Sequence, residues 1–219
     1  MSLSELWSLY GQNYIDALLA TWGMTLESFA IAMVLAVAVT VMRVSPLKPL
    51  RVFGDLYVQV FRNIPGIALL IIVVYALPPL KVVLPYRTCV IVATVLLGSA
   101  FGSENFMSGI NTVGVGQVEA ARSLGMSFSR ILAKIVIPQA LRSSVLPMTN
   151  LFIAVILTTA LGSQVPLKPQ ELTGVVSYIN TRSLGGVVAF FISALGYLGT
   201  AFVVSHIGNY IDKKVRILR

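Results

Sequence analysis

Five long apolar runs dominate the pattern of hydrophobic and polar positions along this chain. A helix needs about 20 mostly apolar residues to cross the hydrocarbon core of a bilayer, and these runs lack the two-residue alternation of a membrane strand. The pattern therefore predicts an all-α membrane protein whose residues 1–219 form a single transmembrane domain. The predicted spans cover residues 23–42, 57–77, 88–110, 141–161 and 187–210.

Shorter segments separate the apolar runs and are punctuated by proline and glycine, as expected for connections. Residues 1–22 precede the first span as an N-terminal tail. The longest connection covers residues 111–139, and a second polar connection over 162–186 carries Pro166 and Pro169. A polar segment between two membrane spans must meet something outside the lipid, so the 111–139 connection is the first candidate for a functional part.

The composition agrees with a membrane protein. Only 11% of the residues are charged and 57% are hydrophobic, whereas soluble domains carry roughly 25% charged residues. The chain has one cysteine and one histidine, Cys89 and His206. We therefore expect no disulfide within the chain, no metal site, no cofactor and no catalytic residues.

The net charge of +8 is distributed unevenly. If the N-terminus lies outside, eleven Lys and Arg residues fall in the inner segments and four in the outer ones, with Arg62 left uncounted inside the second run. Basic residues near span ends favour the cytoplasm. The distribution predicts an outer N-terminus, a cytoplasmic C-terminus and a cytoplasmic 111–139 segment, and it argues against nucleic-acid binding.

Several polar residues lie within the predicted spans. Such residues are costly in lipid and normally face a bundle interior or a wet path. The alternative for the Asn and Thr side chains is a hydrogen bond between helices. The candidates for a substrate path are Arg62, Asn63, Glu104, Asn150, Thr158 and Thr159.

Two helix faces carry small residues at four-residue spacing, Gly98 with Gly102 and Gly196 with Thr200. Small residues let helices approach closely in membranes. We expect tight packing at both faces, against another helix of this chain or against another subunit.

The segment from Glu119 to Pro138 predicts a helix, a sharp turn and a second helix. Gly125 follows the first helix where a left-handed residue usually ends one. Ser127 is expected to cap the second helix, whose apolar positions begin at Phe128 and which Pro138 is expected to end or kink. The alternative is an amphipathic helix that only lies on the lipid surface.

These residues carry a family resemblance. The pattern closely resembles the EAA loop of ABC-importer permeases, with Ile137 where that pattern usually has Leu. The run from Val60 to Gly66 resembles a segment of the polar amino-acid uptake permeases of the histidine, glutamine and glutamate type. The loop pattern consists of Glu119-Ala120-Ala121, Gly125, Ile135 and Ile137-Pro138.

The resemblance implies a type I importer permease with five transmembrane helices in the bacterial cytoplasmic membrane. Its implied partners are cytoplasmic ATPase subunits, a second permease in a heterodimer or homodimer, an extracytoplasmic amino-acid-binding protein and membrane lipid. The chain itself lacks a phosphate-binding Gly-x4-Gly-Lys-Ser/Thr loop. The residues expected to couple it to the ATPase are Glu119, Ala120, Ala121, Gly125, Phe128 and Pro138.

The cargo implied by the resemblance is a polar amino acid, with glutamate or glutamine favoured. Two departures from the family pattern, Met107 and the run from Leu157 to Leu161, remove charge near the expected path and leave direct substrate contact open. A secondary transporter that works without ATP is the alternative, although such proteins usually show two inverted halves. A membrane-embedded enzyme would need paired catalytic groups that this sequence does not suggest.

Overall fold

The chain folds almost entirely into α-helices. The computed structural model describes residues 2–183 and 185–215, and this part of the chain contains no β-strand. The α-helices are α1 (Leu3–Val44), α2 (Lys48–Asn63), α3 (Gly66–Ile71), α4 (Tyr86–Asn111), α5 (Val115–Ser123), α6 (Phe128–Ile131), α7 (Ile137–Ser143), α8 (Val145–Thr158), α9 (Leu172–Asn180) and α10 (Gly186–Val215). π-Helical turns follow α3 (Ile72–Ala76) and α6 (Leu132–Val136), and 3₁₀ turns cover Pro78–Leu80 and Thr159–Gln164.

The predicted all-helical membrane fold is confirmed. In the described residues, four helices are long and apolar enough to cross a bilayer: α1, α4, α8 with its 3₁₀ extension, and α10. A fifth candidate is α2 together with Gly66–Leu80, a pair bent by 102°.

The first helix is longer than the apolar run predicted. It begins at Leu3, so residues 3–22 continue the helix instead of forming a separate tail. Ser2 and Glu5 explain the start, because the Ser2 hydroxyl accepts from the Glu5 N–H and the Glu5 carboxylate accepts from the Ser2 N–H, which satisfies free N–H groups of the first turn. With 42 residues, α1 is roughly 63 Å long, about twice the thickness of the hydrocarbon core.

The N-terminal half of α1 packs on α9 and α10. Leu6, Tyr14 and Ala17 are buried there with Leu172 and Val175. Helix α9 lies within the predicted polar connection 162–186, and the sequence pattern did not predict it. Burial against α9 and α10 gives residues 3–22 the tertiary contacts that hold them in a helix.

The second predicted span, 57–77, is not one straight helix. The chain leaves the helical conformation at Ile64, whose φ and ψ are −80° and 127°. Proline disfavours the α conformation in the residue before it and has no N–H for the helix. Pro65 therefore breaks the run between α2 and α3.

The helix pair α1 and α4 forms the centre of the bundle, and Gly98 and Gly102 make its close approach possible. A Cβ atom on Gly102 would lie 2.9 Å from the Cβ of Ala36, and one on Gly98 would lie 3.2 Å from the Cβ of Ala32. The predicted tight packing at this face is thus within the chain. On α10, Gly196 faces Leu172 of α9 instead.

An ion pair joins the same two helices near the start of α4. Arg87 donates two hydrogen bonds to the Glu27 carboxylate, at 2.8 and 2.7 Å. Both side chains are about half exposed. The pair links the middle of α1 to the first turn of α4.

Candidate functional site

Residues 115–143 form a helix, a sharp turn and a second helical arm, which we call the elbow. Gly125 has a φ of +72°, the left-handed conformation that ends many helices. Its N–H donates to the Arg122 carbonyl at 2.9 Å, and the Met126 N–H donates to the Ala121 carbonyl at 3.1 Å. This is the hydrogen-bond pattern of a Schellman motif, and it confirms the conformation predicted for Gly125.

The second arm of the elbow differs from the prediction in two details. Ser127 precedes α6 in an extended conformation, but its side chain makes no capping hydrogen bond. Pro138 does not end the helix, because it lies in the first turn of α7 after the π-helical turn Leu132–Val136. Pro138 has no N–H to offer the carbonyl of Lys134, and a π-helical turn just before it accommodates that loss.

The elbow has a small core of its own. Ala121, Ile131 and Val136 are buried together with Val113, which lies just before the elbow, so Ala121 is inside the elbow. An elbow with an internal core and a closed turn can move as one body. The other predicted coupling residues, Glu119, Ala120, Gly125, Phe128 and Pro138, are exposed.

The second arm is attached closely to the C-terminal end of α4. A Cβ atom on Gly109 would lie 2.7 Å from the Ala140 carbonyl oxygen, so the two backbones touch. The Ser144 hydroxyl donates to the Asn105 carbonyl at 3.3 Å, and the Asn105 amide donates to the Pro147 carbonyl at 3.0 Å. Displacement of the elbow must therefore move α4.

A cavity of about 680 Å³ opens between the α2–α3 break, α4 and the end of α8. Among the described residues of its wall, Arg62 is the one that carries a charge. Phe101 lines the same cavity, and the centre of its ring lies 5.4 Å from the Arg62 guanidinium. The remaining polar lining residues are Thr158, Ser163, Gln164 and Thr173.

Two of the six predicted path residues, Arg62 and Thr158, lie on the cavity wall. Asn63 is exposed and donates to the Gln59 carbonyl at 2.6 Å, and Asn150 is exposed elsewhere on α8. Thr159 is buried and donates to the Ile156 carbonyl at 2.6 Å. These three side chains do not line the cavity.

Glu104, the sixth candidate, is not among the lining residues of the cavity and lies in a group of charged side chains. Its Oε2 atom is 3.1 Å from Nη1 of Arg43 and 3.6 Å from Nη1 of Arg62. Arg43 also donates through Nε to Asp55 at 2.9 Å. The four residues join the ends of α1 and α2 to α4.

Ser163, Gln164 and Thr173 also line the cavity but were not predicted, because they follow the predicted end of the fourth span at Leu161 and fall in the predicted 162–186 connection. Glu171, which has no exposed surface and caps α9, was not predicted either. Burial raises the pKa of the Glu171 carboxyl above its ordinary value. Glutamate is not one of the usual N-cap residues, so the sequence carried no standard signal for this cap.

Comparison with known proteins places the chain in a family. The family described as "binding-protein-dependent transport system inner membrane component" matches residues 28–217. The chain is 33% identical to the glutamate transport system permease protein GluC of Corynebacterium efficiens, covering 90% of this chain and 91% of GluC. It is 31% identical to the L-cystine transport system permease protein TcyB of Bacillus subtilis, covering 95% and 91%.

A third relative is the probable glutamine ABC transporter permease protein GlnM of Bacillus subtilis, 31% identical over 97% of this chain and 96% of GlnM. Among solved structures, an amino acid ABC transporter crystallised with histidines matches with a TM-score of 0.90 and 25% identity, over 98% of this chain and all of that one. The MetNI methionine ABC transporter shares the fold, with a TM-score of 0.71 at 20% identity over 99% of this chain and all of that one.

The resemblance inferred from the elbow pattern is thus confirmed. Membership of this family implies three partners, which are an ATPase, a substrate-binding protein and a second permease. The chain belongs to the binding-protein-dependent transport system inner membrane components, as a membrane-spanning permease subunit of an amino-acid ABC importer whose ATP hydrolysis is carried out by a separate subunit.

Proposed function

We propose that this chain imports a polar amino acid of the glutamate or glutamine type across the bacterial cytoplasmic membrane by alternating access. The observation that carries the proposal is the placement of Arg62 on the wall of the 680 Å³ cavity. Arginine binds carboxylates through charge-assisted hydrogen bonds, and every amino acid carries a carboxylate. The names of the relatives, glutamate, glutamine and cystine permeases, are consistent with such a cargo.

The rest of the cavity wall favours a neutral or acidic side chain on the cargo. The wall offers the hydroxyls of Thr158, Ser163 and Thr173 and the amide of Gln164, and its described residues include no carboxylate. A basic amino acid would leave its side-chain charge unpaired there, which is costly. The cavity volume falls within the range of about 300–1,000 Å³ for small-molecule sites.

The departures at Met107 and Leu157–Leu161 leave Arg62 as the main charged contact of this chain with cargo. A second permease would complete the path, in a heterodimer or a homodimer. In a heterodimer, this chain would be the less charged half. Partner identity would follow from purifying the chain with its associated proteins and identifying the second permease, the ATPase and the binding protein.

The elbow is proposed to pass force from the ATPase to the cavity. Glu119, Ala120, Gly125, Phe128 and Pro138 form the exposed docking surface, and Ala121 supports it from inside. The elbow is joined to α4 at Gly109, and α4 also carries Phe101 on the cavity wall. Closure of the ATPases would thus move a cavity wall, with the break at Pro65 as a hinge.

The N-terminus is proposed to lie outside, with the C-terminus and the elbow in the cytoplasm, as the distribution of basic residues favours. Cysteine labelling tests this. In a Cys89→Ala background, Ser4→Cys and Ser129→Cys each place one thiol at an exposed position. In right-side-out vesicles, a membrane-impermeant maleimide should label the Ser4 variant alone. Labelling of the Ser129 variant from outside would overturn the orientation.

Arg62 provides the test of function. In the purified permease–ATPase complex, Arg62→Ala should weaken binding of L-glutamate or L-glutamine roughly 10- to 100-fold, the loss expected for a charge-assisted hydrogen bond. Arg62→Lys keeps the charge and should lose less. In proteoliposomes that hold the whole transporter, uptake should require ATP. Uptake that continues without ATP and follows an ion gradient would contradict the proposal.

A further inference from the structure

Glu104 is placed where it can compete with cargo for Arg62. A single carboxylate oxygen, Oε2, faces the Arg43 guanidinium at 3.1 Å and the Arg62 guanidinium at 3.6 Å. Arg62 lies on the cavity wall, whereas Glu104 does not. Among the described residues of its wall, the cavity thus has one cationic side chain, and that side chain already contacts a carboxylate of the protein.

The two arginines are held differently. The Arg43 side chain is 11% exposed and donates to both Asp55 and Ser103, at 2.9 and 3.3 Å. Its Cγ also packs against Gly54, where a Cβ atom would lie only 2.8 Å away. Arg43 is therefore held in place, and its 3.1 Å contact anchors the carboxylate of Glu104, whose side chain is 41% exposed.

Arg62 is the less constrained partner. Its side chain is 36% exposed, its contact with Glu104 is the longer of the two, and it rests near the ring of Phe101. Arg62 also lies at the end of α2, directly before the break at Pro65. Its guanidinium can turn between Glu104 and an anion in the cavity while Glu104 stays with Arg43.

The charges around Arg62 determine whether Glu104 strengthens or weakens binding of the cargo carboxylate. Arg43, Arg62, Asp55 and Glu104 sum to zero charge, so a cargo carboxylate at Arg62 must share with Glu104 a guanidinium whose charge is already balanced within the group. Like charges that share one site disfavour each other. Glu104 should therefore weaken carboxylate binding at Arg62 and replace the carboxylate when the cargo leaves.

The geometry points to Glu104 as a positioning residue that holds Arg62 in the empty cavity, lowers its affinity for the cargo carboxylate and promotes release. This inference rests on the proposed role of the cavity as the amino-acid site. Glu104 is not among the residues that line the cavity, so the inference assigns it an effect through Arg62 and no contact with the cargo ammonium group.

The test compares Glu104→Gln with Glu27→Gln. The control removes the charge from another ion pair between α1 and α4, with Arg87, and leaves Arg62 untouched. The probes are radiolabelled L-glutamate, L-glutamine and L-cystine, bound to the permease–ATPase complex without the binding protein. Glu104→Gln should tighten binding roughly two- to fivefold, the range for a partly exposed ion pair, and should slow ATP-driven uptake per complex. Glu27→Gln should leave the affinity unchanged.

Each outcome separates the inference from the proposed function. If the wild-type complex binds a probe and Glu104→Gln binds it equally or more weakly, the inference is overturned and the function stands. If Glu27→Gln tightens binding equally, the effect comes from loosening the α1–α4 helix pair in general, and the inference is overturned. If the wild-type complex binds none of the probes, both proposals fall. Should Glu104→Gln fail to assemble, Glu104→Asp retracts the carboxylate from Arg62 and should tighten binding in the same direction.

Discussion

The Tyr197 hydroxyl donates a 2.8 Å hydrogen bond to the fully buried carboxylate of Glu171. The backbone N–H groups of Thr173 and Gly174 donate to the same carboxylate at 2.7 and 2.6 Å. Tyr197 lies in α10 and Glu171 caps α9, so the bond joins two helices beside the cavity. Thr173, which lines the cavity, also lies 3.2 Å from the Tyr197 hydroxyl.

Removal of that donor should destabilise the protein. Tyr197→Phe leaves the ring in place but takes one partner from a buried carboxylate, at a cost of about 1–3 kcal/mol. Thermal unfolding in detergent should show a lower midpoint for this variant. The control is Tyr210→Phe on the same helix, where the side chain is exposed and the midpoint should not change. Equal midpoints for Tyr197→Phe and wild type would show that the bond adds nothing to stability.

The stability contributed by Glu171 should depend on pH. Burial raises the pKa of its carboxyl above the ordinary value of 4.5, so the folded state favours the protonated form. The contribution is fully present below pH 4.5 and is lost as the pH rises through the folded-state pKa. The side chain of the Glu171→Gln variant cannot titrate. The unfolding midpoint of this variant, measured relative to that of the wild type, should therefore increase as the pH rises from acid to neutral. A midpoint difference that is independent of pH would contradict this.

The contact between α1 and α4 predicts a position-specific effect of adding one methyl group. Gly102→Ala would place a Cβ 2.9 Å from both the Ala36 Cβ and the Met33 Cε, and overpacking typically costs about 1–3 kcal/mol. Gly199→Ala on α10 meets nothing within 4 Å and should not lower the midpoint, because alanine also has the higher helix propensity. Thermal unfolding of the two variants checks the prediction, which fails if their midpoints agree.

Features governed by local chemistry could be predicted from the sequence. The long apolar runs revealed α4 and α10 within a few residues, because burial in lipid requires about 20 apolar residues whatever the rest of the fold does. Gly125 was recognisable because few other residues tolerate a positive φ. Both inferences need only the residue and its immediate neighbours.

Features governed by tertiary contact were not predictable in this way. The helical state of residues 3–22 depends on packing against α9 and α10, which no local period reveals. The break at Pro65 had a local signal, but the apolar run on both sides favoured one continuous span. The cavity wall joins Arg62 to Thr173 across more than half of the chain, and the sequence alone cannot bring such distant positions together.

The turn of the elbow should tolerate no side chain at Gly125. Gly125→Ala forces an L-residue into a φ of +72°, which costs about 1 kcal/mol and reorients the second arm. We expect normal insertion but several-fold slower ATP-driven uptake per complex in proteoliposomes. Gly116→Ala is the matched control, since it lies in α5 with open space around it. Normal uptake by Gly125→Ala would argue against a rigid elbow.

The exposed surface of the elbow should decide whether the ATPase stays bound. Phe128 is 51% exposed although it is a large apolar residue, and Glu119 is exposed on the other arm. Central interface residues cost about 2 kcal/mol or more when truncated, so Phe128→Ala should reduce co-purification of the ATPase subunit more than tenfold. Glu119→Gln should reduce it as well, by removing a charge.

Val115→Ala provides the control for this experiment. Val115 is 70% exposed at the start of α5, in the same elbow but outside the predicted docking surface. The Val115→Ala variant should co-purify with the ATPase subunit in the same ratio as the wild-type chain does. All three variants should keep the wild-type unfolding midpoint, because exposed side chains contribute little to the fold. If Phe128→Ala and Glu119→Gln retain the ATPase subunit as fully as Val115→Ala does, the ATPase docks elsewhere.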